Sequence, residues 1–235
     1  MRLNRQHNAV SLRRLIYSSG AAAVGTACVL GLSVAPGCAL GVLVGGMAES
    51  ASLLGESFVP GEYLGLDGKS FAVVVSSDRA VQADNPGINE RLTARLNGDL
   101  AQNTLATGHI PTQTLLGVQY NNPQWQALAR GDLGERLGVQ RLVVVELNEY
   151  RLTEPGNRYL WDGLASAIVE VYEIDGGFPD EPVYEKSITV RFPDSTGVLR
   201  ETLQEDFVTS VLSQRLSDRV AWLFYDHDEP NSIEY

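Results

Sequence analysis

From Leu15 to Ala48 the chain carries no charged residue. A run of that length behind the basic start "MRLNRQHNAVSLRR" reads as a targeting or anchoring segment rather than as part of a folded core. The charge is divided to match. The first 48 residues hold Arg2, Arg5, Arg13 and Arg14 and no acid, and all 29 acids follow Ala48. Of 18 basic residues 14 remain beside those 29 acids, which leaves the remainder of the chain at −15. Positive charge favours the cytoplasmic side, so the acidic body is the part expected to be translocated. Phosphate backbones would repel it, which argues against a nucleic-acid partner.

Both cysteines, Cys28 and Cys38, lie in this leader. The body therefore has no thiol nucleophile, disulfide framework or cysteine metal site, and must rely on an apolar core. A stretch of roughly 160 residues can bury about two-thirds of its unfolded surface. Three outcomes are open for the leader. In a lipoprotein signal peptide the chain is cut before a cysteine that takes a diacylglyceryl group. Ala35-Pro36-Gly37-Cys38 supplies the small residues of such a box, with Ala35 where an aliphatic residue is usual. Gly25-Thr26-Ala27-Cys28 is the alternative, but cutting there leaves a long apolar stretch on the mature chain. An uncleaved anchor is the second outcome. Gly37, Gly41 and Gly45 would line one helix face and drive oligomers, although Pro36 would kink the helix. Cleavage near Ala48 is the third, through an ordinary signal or the Arg13-Arg14 pair. Cys38 is the lipidation site this reading selects. The expected layout is a signal peptide over 1–37, an apolar and Gly/Ser tether over 38–68, an α/β domain over 69–229, and a tail over 230–235.

Within the body, "KSFAVVVSSD" predicts a buried strand over Phe71–Ser76. Asn85-Pro86 opens a helix with Ile88, Leu92, Leu96 and Leu100 on one face. "GHIPTQT" can hold a brief strand at His109 and Ile110. A second helix is predicted from Asn122-Pro123, with Trp125, Leu128, Leu133 and Leu137 on its apolar side and Gly138 closing it. "RLVVVELNEYRL", "LASAIVEVYEID" and "PVYEKSITVRF" predict three strands, the last two joined by the turn "GGFPDE". A final helix is predicted over Val198–Phe224, with Leu199, Leu203, Phe207, Val211, Leu212, Leu216, Val220 and Leu223 as its stripe. The tail "DHDEPNSIEY" is expected to fray. The fold class is α/β: one mixed sheet, parallel at its start and ending in a three-strand antiparallel meander, with about three helices packed on it.

The segment "LGERLGVQRLVVVELNEYRL" resembles the helix–glycine–strand unit of exported α/β domains. Among these are the N-terminal domain of the Tol-system propeller protein and the curli-secretion lipoprotein family. The whole layout is more similar to a family of uncharacterised bacterial lipoproteins, through "PGC", "GKSFAVVV", "NPQWQ", "YLWDGLASAIVEVYEID", "EPVYE" and "LFYDHDE". Val139-Gln140 departs from it, since related domains carry Ala-Asp there. The resemblance implies the fold and a lipid anchor, and it implies no activity.

The body offers little chemistry to set beside this. His109 reads as a loop or edge histidine, and Asp226, His227, Asp228 and Glu229 as a solvated helix end rather than a metal site. "DGGFPDE" lacks the carboxylate spacing of a calcium loop. No nucleophile elbow, phosphate loop, dinucleotide fingerprint or HExxH occurs. Ser76, Ser77 and Asp78, at the end of the first strand, form the one candidate ligand site, because open α/β sheets bind ligands there. They equally suit a turn. Trp125 and Trp161 read as packing residues. The sequence thus points to a non-catalytic, lipid-anchored envelope protein facing the periplasm. It has no expected metal or cofactor, and its partners are the membrane, other envelope proteins or itself. Ala39 after Cys38, rather than Asp, favours the outer membrane. The alternatives are a single-pass subunit that oligomerises and an envelope enzyme using carboxylates.

Overall fold

The computed structural model describes residues 55–231. Cys28, Cys38 and the Gly37-Gly41-Gly45 face lie outside the described residues. The centre of the domain is β2 (Ser70–Ser77), whose run Phe71–Val75 is buried on both sides. Such a strand needs neighbours in the sheet and cover on both faces, and the topology supplies them. The strand order is β3-β2-β4-β5-β6. The short β3 (Gly108–His109) and the long β4 (Arg141–Arg151) both run parallel to β2, the latter from Phe71 opposite Arg141 to Ser77 opposite Leu147. β5 (Gly163–Glu173) and β6 (Pro182–Phe192) continue antiparallel, as the predicted meander requires. This is the mixed α/β sheet expected from the sequence.

Alternation along β2 divides the core into two layers. Phe71, Val73 and Val75 join Val143, Val145 and Leu147 of β4 under α2 (Ile88–Asn103) and α5 (Glu205–Ala221). Ala72 and Val74 join Leu142 and Val144 under α3 (Thr112–Asn121) and α4 (Arg130–Leu137), where Leu115, Leu133 and Leu137 are buried. Period-two alternation on a strand covered on both faces gives this division directly.

Helix number and boundaries differ from the prediction. The described residues hold five α-helices and one 3-10 turn, where about three helices are predicted. Asn85 does not open the first predicted helix. It closes α1 (Arg79–Asp84), its N–H donating to the Val81 carbonyl, and α2 starts after Gly87, which adopts φ 74°. Pro86 lacks a backbone N–H, so the chain breaks there, and glycine takes the left-handed step that restarts it. The helix predicted from Asn122-Pro123 is likewise divided. Asn122 ends α3, Trp125–Ala127 form the 3-10 turn, and Leu128 is extended before α4 begins at Arg130. Gly138 closes α4 at φ 68°, as predicted.

The final helix begins at Glu205, seven residues later than predicted from Val198. The preceding segment pairs with the β4–β5 connection instead. Leu199 bridges Leu160, and the Trp161 N–H donates to the Val198 carbonyl at 2.8 Å. Leu199 and Phe207 are each 51% exposed, so the buried stripe is Val208, Leu212, Leu216 and Val220.

From Gly55 onward the predicted tether is part of the fold, and so is the stretch Asp226–Asn231 expected to fray, while residues 232–235 of the predicted tail lie outside the described residues. β1 (Glu56–Val59) pairs antiparallel with β7 (His227–Pro230), Glu56 opposite Pro230 and Val59 opposite His227. Leu66 is fully buried, and the Tyr63 N–H donates to the Leu223 carbonyl at 2.8 Å. Gly61 permits a close crossing there, since a Cβ on it would lie 2.8 Å from the Tyr225 nitrogen.

Candidate functional site

The end of β2 holds the residues singled out in the sequence. Asp78 caps α1, its Oδ1 accepting from the Val81 N–H at 2.7 Å. The Ser77 hydroxyl, 8% exposed, donates to Asn89 Oδ1 at 2.8 Å, and the Gln82 amide donates to the Ser77 carbonyl at 2.8 Å. Ser76 is half-buried. The structure therefore brings Ser77 and Asp78 together as a strand-to-helix joint. Beside them lies a cavity of about 190 Å³ lined by Val75, Gln82, Asn89, Glu90, Thr93 and Trp125. Its polar lining is amide and hydroxyl with one acid. Such a set can hold water or a small neutral polar group, and it contains no base or nucleophile pair.

A wider groove of about 770 Å³ runs between α2 and α5, past Arg91, Arg95, Asp206, Thr209, Ser210 and Ser213. Below it the Tyr150 hydroxyl lies 2.7 Å from the Ser213 hydroxyl and donates to the Thr209 carbonyl at 3.1 Å. Burial pushes the Tyr150 phenol up. Two carboxyls on these helices are also displaced. Burial raises Asp99, against the pull of Arg95. Burial and the neighbouring Asp99 raise Asp218, again opposed by Arg95. Arg95 Nε stands 4.0 Å from Asp99 Oδ2 and has no hydrogen-bond partner among the described residues. Sequence reasoning missed this pairing. Arg95 and Asp99 are one helical turn apart and legible as such, but nothing in the sequence links them to Asp218.

At the opposite end of the sheet, Arg141 at the start of β4 is almost buried, its side chain 7% exposed. It donates to the Gly65 carbonyl at 3.1 Å, to the Gln140 carbonyl at 2.8 Å and to Asp175, and lies 3.3 Å from Glu173. Lys69 meets Asp175 at 2.7 Å. Hydrogen bonds from Lys69 and Arg141 hold the Asp175 carboxyl down at about 2. The Tyr63 hydroxyl donates to Glu173 at 3.1 Å, and burial lifts Tyr63 to about 12. Next to it Glu62 takes hydrogen bonds from Lys186 and Tyr184, which lower its carboxyl. These groups fasten the incoming chain, Glu62 to Lys69, onto the sheet.

The acidic C-terminal run is ordered rather than frayed. The His227 ring stacks on Trp222 at 4.5 Å, and its Nδ1 sits 3.2 Å from the Tyr225 carbonyl. Asp226 accepts from the Gly61 N–H at 3.0 Å, and Glu229 meets Arg219 at 2.8 Å. His109 is exposed and stacks on Phe71 at 5.8 Å. Trp161 is 3% exposed, and Trp125 packs against the second core layer. Among the described residues no group of three or more His, Cys, Asp or Glu side chains is placed to hold a metal ion, and no helix is long and apolar enough to cross a membrane.

A mixed α/β domain whose polar candidates are bonded within the fold is what the geometry defines, and solved bacterial proteins are among those it is similar to. The PelC dodecamer of Paraburkholderia phytofirmans shares 10% identity at a TM-score of 0.43, over 72% of this chain and 97% of that one. Lipoprotein GNA1162 of Neisseria meningitidis shares 11% identity at a TM-score of 0.42, over 64% and 96%. Hypothetical protein CT253 of Chlamydia trachomatis shares 15% identity at a TM-score of 0.43, over 66% and 93%. Bacterial lipoproteins are thus among the structures this chain is similar to. No family model matches the chain, and no curated protein matches it.

Proposed function

We propose that the chain is a non-catalytic, lipid-anchored component of a cell-envelope assembly. The leader directs export, Cys38 carries the acyl chains with Cys28 as the alternative, and the acidic domain faces the periplasm, in the outer membrane by the Ala39 criterion. The observation that carries this reading is a contrast within one chain. A leader with both cysteines and no acid precedes a domain in which Ser77, Asp78, Asp226 and Glu229 are spent on internal bonds. Ser76 and the cavity beside Ser77 are where a small polar ligand would enter. The test is mass spectrometry of the membrane form. A diacylglyceryl mass on Cys38, lost in Cys38→Ser, is the expected result. An unmodified, intact N-terminus in the membrane fraction would replace this reading with the uncleaved anchor.

The raised carboxyls Asp99 and Asp218 support one other reading, an envelope enzyme that uses paired acids. Asp218→Asn tests it. An enzyme would lose its activity, whereas a structural pair would change only stability.

A further inference from the structure

The two edges of the five-stranded sheet are built differently. The β3 edge is two residues long and stops at Ile110-Pro111, a short edge that proline blunts. The other edge, β6, has 11 residues, with proline only at its first position and no strand beyond it among the described residues. Its register against β5 shifts only near Pro182, so Tyr184–Phe192 is regular. A lysine often guards such an edge, but Lys186 is drawn onto the helix-covered face by Glu62 at 2.9 Å. Near its end the Arg191 carbonyl accepts from Arg215 at 2.8 Å and keeps its second lone pair, and long edges of this kind pair with further strands, so an occupant must be identified.

The side chains of β6 identify it. Ile188 and Val190 point into the core under α5, so Glu185, Ser187, Thr189 and Arg191 share the opposite, exposed face. Arg191 and Glu185 lie near the two ends of that row, about 20 Å apart along the strand. Neither side chain has an ion-pair or hydrogen-bond partner among the described residues. An antiparallel copy of β6 with its two-fold axis at Ile188 sets Glu185 opposite Arg191 and Arg191 opposite Glu185. The same register sets Ser187 opposite Thr189 and Tyr184 opposite Phe192. Centring the axis one residue to either side removes both ion pairs and, for a half-residue step, turns the faces against each other. We propose that β6 is a homodimer interface, pairing antiparallel with β6 of a second copy about Ile188 to form a continuous ten-stranded sheet.

The pairing is a self-complementary, isologous contact of the kind closed dimers use. It gives the envelope component proposed above a defined self-association, and it rests on the domain alone rather than on the anchor. The experiment compares the full chain, purified in detergent, with Glu185→Arg, Arg191→Glu and the double exchange, by light scattering over a range of concentrations. Both positions are exposed, so circular dichroism and thermal melting should match the parent and show that each variant folds. Each single exchange places like charges opposite twice and should weaken the dimer by about tenfold or more. The double exchange restores both pairs with reversed polarity and should restore the dimer. A parent that stays monomeric, single variants as dimeric as the parent, or a double variant that stays dissociated would each overturn the proposal. The mass on Cys38 is read in the same samples. Its absence counts against the anchor and leaves the β6 result standing.

Discussion

The two ends of the central strands solve opposite problems. At the N-terminal end of β2 and β4 a nearly buried guanidinium, Arg141, is surrounded by Asp175, Glu173, Lys69 and two carbonyls. At the C-terminal end the groups are hydroxyls, amides and the single acid Glu90 around a small cavity, with Asp78 turned back to cap its own helix. Charge is concentrated where the incoming segment must be fastened, and removed where the parallel strands open. A buried charge stays ionised only when it is matched on every side, which leaves none of its partners free for a ligand. The end with capacity to bind is therefore the one with the fewer charges, Glu90 being the one acid on its cavity, and it is small.

Arg141→Ala should break this contrast most severely. It leaves Asp175 and Glu173 without their shared guanidinium and the Gly65 carbonyl without its donor. A loss of about 2–4 kcal/mol is expected in urea unfolding, below the figure for a fully buried pair because Asp175 and Glu173 keep contact with solvent. Asp78→Ala removes the cap of α1 at the C-terminal end of β2 and should cost about 0.5–2 kcal/mol by the same measurement. Ser77→Ala should cost less, about 0.5–1 kcal/mol, because water in the cavity can replace the hydroxyl toward Asn89. The smallest effect is in acid. The Asp175 carboxyl sits at about 2 in the folded chain, below its ordinary 3.8, so its contribution is complete above 3.8 and disappears as pH falls through about 2. The stability difference between the parent and Asp175→Asn should close over that window. A difference that persists below it would detach Asp175 from the Arg141 cluster.

What could be read in the sequence was whatever repeats locally. Phe71–Val75, the four-residue spacing from Ile88 to Leu100, and the alternation in β5 and β6 each report their own burial. α3 escaped because Leu115 is its one buried residue, which leaves no stripe to detect. The start of the last helix was misread because Leu199, Leu203 and Phe207 continue the spacing of Val211 and Leu212 by accident. Their backbone is instead claimed by Leu160 and Trp161. The ribbon of β1 with β7 joins "ESFV", mostly exposed, to "HDEP", mostly half-buried, two short segments from opposite ends of the described residues. Arg141 and its partners lie between Gly65 and Asp175, so that cluster exists only once the sheet has formed. Ser77 and Asp78 were found where the topology suggested, but their bonding to Asn89 and Val81 could not be foreseen.

One consequence of the β1–β7 ribbon concerns direction. The Asn231 N–H donates to the Gly55 carbonyl at 3.0 Å, so the domain's first and last described residues leave it side by side. A fluorophore attached at Asn231 would therefore report from beside Gly55, the point where the described chain enters the fold.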